Sequence, residues 1–163
     1  MKIIATKLSR NDKYDQLRCI RLDGSETGTT MPRQGILPHD LIHYVVESAL
    51  GYDHGFLGLV AKGADIGFAM EVSHDIGNPK ASDQATHAEA IVESLQAQLW
   101  SGSFDAAMFE AGLEGACAMR SRAAPELGGI DVRTQLYGAV IALAERWQGL
   151  PFHASMELDM PGL

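Results

Sequence analysis

The segment Leu37-Pro38-His39-Asp40-Leu41-Ile42-His43-Tyr44-Val45-Val46-Glu47 sets two histidines and a glutamate at four-residue intervals inside an otherwise apolar run. Four residues make about one helical turn, so the three side chains fall on one stripe of a helix. Imidazole and carboxylate are the donors of hydrolytic divalent-metal sites, and His-x-x-x-His is the spacing at which one helix offers two nitrogens to one ion. Along a straight helix His39 and His43 lie about 6 Å apart, as do His43 and Glu47, while His39 and Glu47 lie about 12 Å apart. A neighbouring pair can share an ion, but all three would have to stretch. A site built here therefore draws at least one further ligand from elsewhere, and the candidates are His54 and the His74-Asp75 pair. The expected metal ligands are His39, His43, His54 and His74, around a divalent ion such as zinc. With one coordination position open, such an ion lowers the pKa of bound water, and Asp40 or Glu47 is then the general base.

The same residues support a second reading that needs no ion. An acid such as Asp40 is favoured in a first helical turn, and His43 with Glu47 is an ordinary i, i+4 pair. The stripe is then a buried polar network that fixes the helix. The protein would be a non-catalytic structural or interaction protein, homodimerising through its long Ala- and Gly-rich helices. Nothing else in the chain offers a stronger chemistry. His87 and His153 read as solvated, Cys117 has no neighbouring histidine, and both a Gly-rich phosphate loop and a Gly-x-Ser-x-Gly elbow are missing.

The elements that must position these residues are legible to different degrees. Ile3 to Leu8, Leu17 to Leu22 and Thr27 to Met31 read as an antiparallel meander, with Asp23-Gly24 as a turn that tolerates positive φ. Pro38 suits the first turn of a helix that runs to about Leu50 and stops at Gly51. Residues 51 to 81 are glycine-rich, with short helical pieces expected at Phe56 to Lys62 and Ile66 to Val72. Ser82 is expected to cap a helix ending at Ser101-Gly102, and Ser103 a second whose seam is Phe104, Ala107, Met108, Ala111, Gly115 and Ala118. Asp131 caps a third, buried through Leu136, Val140, Leu143 and Trp147. The alternation of Ala154, Met156 and Leu158 with Ser155, Glu157 and Asp159 predicts a final half-buried strand. A strand at either end with helices between predicts an α+β domain spanning 1–163, a small antiparallel sheet under about four to six helices.

Composition bounds the function. An apolar fraction of 46% with 21% charged residues is that of a globular protein, and no run approaches the roughly 20 apolar residues of a membrane span. Residues 1–12 do not read as a secretion signal, so a cytoplasmic location is expected. A net charge of −8 with scattered basic residues argues against a nucleic-acid partner. Cys19 and Cys117 are expected to be buried free thiols.

His39-Asp40-Leu41-Ile42-His43, followed by Gly51-Tyr52-Asp53 and Phe56-Leu57-Gly58, resembles the His-Asp-x-x-His segment of the coenzyme Q biosynthesis scaffold family. The likeness spans about twenty residues. It implies a metal site that carries over to His39, Asp40 and His43; Leu59 stands where that family has its metal-binding glutamate. The stretch Leu37 to Leu41 is also similar to small bacterial proteins, a likeness that implies no activity.

Overall fold

The computed structural model describes residues 1–69 and 79–163. Three strands open the chain: β1 (Lys2–Thr6), β2 (Tyr14–Ile20) and β3 (Glu26–Pro32). The β2–β3 turn forms where Gly24 takes φ +84° and the Asp23 carboxylate accepts the N–H of Ser25 at 2.9 Å. The last strand, β4 (Ser155–Asp159), lies antiparallel along the free side of β1, so the sheet order is β3-β2-β1-β4. Ile3 sits opposite Cys19 and Leu158, and Ala5 opposite Leu17 and Met156. These side chains and Met31 are buried. Their period of two gives the sheet one inner face, which the helices cover. The architecture is α+β.

Five α-helices are present among the described residues: α1 (His39–Leu50), α2 (Phe56–Ala61), α3 (Pro79–Ser101), α4 (Ala106–Met119) and α5 (Ala139–Gly149). None of them is long and apolar enough to cross a membrane. Helix α1 is the centre of the helical layer. It packs on α2 and α3 and also meets β3 and α5, because Leu41, Ile42, Val45 and Val46 are all buried. Its start is set by Pro38, whose extended ψ of 141° precedes the first turn, and its end by Gly51 at φ +64°. Along α3 the buried stripe is rich in alanine (Ala81, Ala85, Ala88), which lets this helix approach α1 closely.

Four expectations change. The helix expected to start at a Ser82 cap already includes Pro79. The α4 cap is Asp105, which accepts the Met108 N–H at 2.9 Å, rather than Ser103. The face α4 buries is Phe109, Leu113 and Cys117, so Ala107, Met108, Ala111, Gly115 and Ala118 point to solvent. The aromatic and leucine anchors outweigh the small residues because they bury far more apolar area. Asp131 does cap the next element, but Val132–Gly138 winds as a π-helix before α5 begins. Both cysteines are buried and free. The helical piece expected at Ile66 to Val72 runs past residue 69 and lies partly outside the described residues.

Candidate metal centre

Burial of α1 on most sides carries its polar stripe into the protein. His43 is 1% exposed and Glu47 is fully buried, so each must find partners inside. Glu47 finds three. Its carboxylate accepts from His43 Nδ1 at 3.1 Å, from the Leu57 N–H at 3.0 Å and from the Gly58 N–H at 3.2 Å. The last two are first-turn donors of α2, whose N-cap, Gly55, has no side chain to offer. Glu47 thus caps α2 from a neighbouring helix. Gly55 is required for this approach, since a Cβ there would stand 2.5 Å from the Glu47 carboxyl carbon.

A carboxylate is acceptor-only when ionised, so the Glu47 bond places a proton on His43 Nδ1 and leaves Nε2 as the other face of the ring. His43 Nε2 lies 3.2 Å from His39 Nε2 and 3.0 Å from Glu89 Oε2, a residue of α3. Glu89 Oε1 lies 3.3 Å from His39 Nε2. These distances decide the character of the site. Donors bound at about 2.0–2.2 Å to one tetrahedral ion stand about 3.3 Å apart; the two imidazole nitrogens are already that close, each meets a different oxygen of the Glu89 carboxylate at 3.0–3.3 Å, and one donor atom from each residue falls within 4.8 Å of the others. Among the described residues, this is the group that could hold a metal ion.

No protein-family model, curated protein or solved structure matches this chain.

The predicted site residues separate. His39 and His43 come together, with Asp40 on the wall of the same cavity. Glu47 stands behind His43, outside that cavity's lining, where its lone pairs are taken; it orients an imidazole and has no free face to act as a base. His54 lies elsewhere, its Nδ1 2.9 Å from Asp53 Oδ1 and its N–H on Gln84 Oε1 at 2.6 Å. Asp53 also binds Lys80 at 2.9 Å, so the pair belongs to a surface ion network joining the α2 region to α3. His74 and Asp75 lie outside the described residues. Glu89 went unread in the sequence although a signal existed. It is a half-buried acid on α3, flanked at helical spacing by buried Ala85 and Val92, with Glu93 one turn further on.

Electrostatics couples the group. Burial works against charge on His43, yet its bonds to Glu47 and Glu89 prevail and push its pKa up to about 10. Burial also opposes charge on Glu89, but bonds to His39 and His43 hold its carboxyl well below the usual range. Burial pushes the Asp40 carboxyl up, with the nearby histidines opposing. Two consequences follow for the metal-free chain. His43, raised above its unfolded value near 6.5, contributes stability that is complete below about pH 6.5 and is lost as pH rises through about 10. Glu89, lowered, contributes stability that is present above about pH 4.5 and lost as pH falls through its folded value. Thermal midpoints after chelation should thus peak between about pH 5 and 6.5 and decline toward pH 10. His43→Gln should flatten the alkaline limb; an alkaline slope unchanged in that variant would show that His43 is not charged in the folded state.

The cavity over the three donors has a volume of about 610 Å³ and is lined by His39, Asp40, His43, Phe56, Ser82, Thr86, Glu89, Arg120 and Arg122. Phe56 packs on the His43 ring with centroids 5.2 Å apart. Both arginines come from the end of α4. There the Ser121 N–H bonds to Ala118 O and the Arg122 N–H to Cys117 O, each at 3.0 Å, a Schellman closure with Ser121 at φ +57°. Glycine is the ordinary occupant of that position. A serine there costs about 1 kcal/mol, and the turn sets Arg120 and Arg122 on either side of it along the cavity wall.

Proposed function

We propose that this chain holds one divalent ion through His39 Nε2, His43 Nε2 and the Glu89 carboxylate, and hydrolyses a small molecule bound in the adjoining cavity. The observation that carries the reading is the convergence of two imidazole nitrogens 3.2 Å apart on one carboxylate, with one donor atom from each residue within 4.8 Å of the others and the His43 tautomer fixed from behind by a buried carboxylate. A carboxylate behind a ligating histidine is the arrangement that orients metal-binding imidazoles and raises their basicity. Two imidazoles and one carboxylate with an open position suit zinc, and the same donors also suit ferrous iron. When bound, the ion supplies an activated water at neutral pH. Asp40, whose pKa is raised by its surroundings, is the proton acceptor on the cavity wall. The charge of −8 and the α+β architecture fit a cytoplasmic enzyme without a nucleic-acid partner.

The competing reading is a structural network in a non-catalytic homodimer. One observation favours it: among the described residues no buried side-chain nitrogen or oxygen lacks a hydrogen-bond partner. The solvent-facing Ala107, Met108, Ala111 and Ala118 of α4 would then be the dimer surface.

Elemental analysis separates the two. Untagged protein purified without chelator should carry near-stoichiometric zinc, iron or manganese, and His39→Ala and His43→Ala should lose it. Failure of the wild-type chain to retain any of these ions, also after incubation with each, would overturn the proposal and leave the structural network.

A further inference from the structure

We infer that the ligand of this cavity carries an oxyanion group, a phosphate or a carboxylate, which Arg122 at the cavity wall and the open coordination position of the ion receive together. This rests on the metal reading above and names its substrate class. Arg122 is held in place by α3: its Nε lies 2.9 Å from Asp83 Oδ1, and its Nη2 donates to Ser82 Oγ at 3.0 Å. Among the described residues its Nη1 has no partner, so a guanidinium with fixed orientation keeps donors to spare. Arg120 is more fully committed, with Nη2 2.6 Å from Glu93 Oε1 and Nη1 donating to Ala116 O at 3.0 Å. A planar guanidinium whose position is set before binding loses little freedom on meeting a two-oxygen anion.

The other wall residues fit the same ligand. Ser82 and Thr86 add hydroxyl groups one helical turn apart on α3, and Phe56 gives an apolar surface beside His43. A volume of about 610 Å³ is that of a small-molecule site and not of a macromolecular groove. The charge balance makes anion binding depend on the ion. The cavity wall sets two arginines against Asp40 and Glu89, and Asp83 and Glu93 lie behind the arginines. Without a divalent cation these charges and that of His43 largely offset one another; with one, a free coordination position and Arg122 act together on the anion.

Cobalt(II) substitution gives a readout independent of turnover, because its visible bands change when an anion enters the coordination sphere. The cobalt-loaded chain is titrated with inorganic phosphate and phenyl phosphate in one arm, and with acetate and benzoate in the other. A saturable spectral shift is expected in at least one arm, and the arm with the tighter response identifies the phosphate or the carboxylate. Arg122→Gln should weaken that response about tenfold at unchanged cobalt stoichiometry, and Arg120→Gln should weaken it less. Cobalt binding with no anion response in either arm would overturn this inference and leave the metal site standing. An equal response from Arg122→Gln, with its fold verified by circular dichroism, would also overturn it. Absence of cobalt binding by the wild-type chain would overturn the metal reading, and this inference with it.

Discussion

Glu89→Gln is expected to lower zinc affinity by 100-fold or more while leaving a folded protein. The substitution keeps the size and one acceptor of the side chain but removes the charge, and an amide is a poor ligand for a borderline metal that takes imidazole and carboxylate. Glu89 is 19% exposed on its side chain and sits on the α3 surface that meets α1, so its loss opens no cavity. His39 and His43 alone would remain, and two nitrogens do not hold an ion firmly. Glu89→His should recover binding, because three imidazoles form a known catalytic donor set. The measurement is competition with a chromophoric chelator, followed by metal content after dialysis. Unchanged affinity in Glu89→Gln would remove Glu89 from the site and with it the convergence on which the metal proposal stands.

Glu47→Ala should be the most destabilising single change at this centre, by about 3–5 kcal/mol. The carboxylate is fully buried and serves His43, Leu57 and Gly58 at once. Its removal leaves buried donors unpaired on two helices and a space between them. For a chain of 163 residues that loss lowers the thermal midpoint by roughly 10 °C. Where the fold survives, metal affinity should also fall by about 10- to 100-fold, as expected for a residue that orients a ligand without touching the ion. Joint replacement of His43 and Glu47 by leucine tests the other reading. A structural network predicts recovery of part of the stability, limited by the Leu57 and Gly58 N–H groups that stay unpaired. Full stability in Glu47→Ala by denaturant titration would show that α2 is capped in some other way.

The sheet and α1 were readable from residues close together in sequence. Period-two alternation marks β1, β2 and β4, and Pro38 and Gly51 bracket α1. The stripe of His39, Asp40, His43 and Glu47 was likewise visible as polar groups on a helix with almost no polar surface to spare. What stayed hidden depends on tertiary contact. The distance from His43 to Glu89 spans 46 positions, and no local pattern states which acid a buried histidine will meet. The role of Glu47 could not be read from spacing alone, because it depends on the direction from which α2 brings the Leu57 and Gly58 N–H groups to its carboxylate. The outward turn of the α4 small-residue face follows the same rule: periodicity gives a face, and the neighbours decide which face is covered.

The place of β1 between β2 and β4 bears on how the chain is made. Residues 2–6 pair with 14–20 at once, but their other edge waits for residues 155–159. At translation rates of about 5–20 residues per second, that edge stays bare for several seconds on the ribosome. An unpaired strand edge with Ile3 and Ala5 beside it is a template for unwanted pairing with another nascent chain. His39, His43 and Glu89 emerge well before β4, so an ion captured by them would tie α1 to α3 and order the helical layer during that interval.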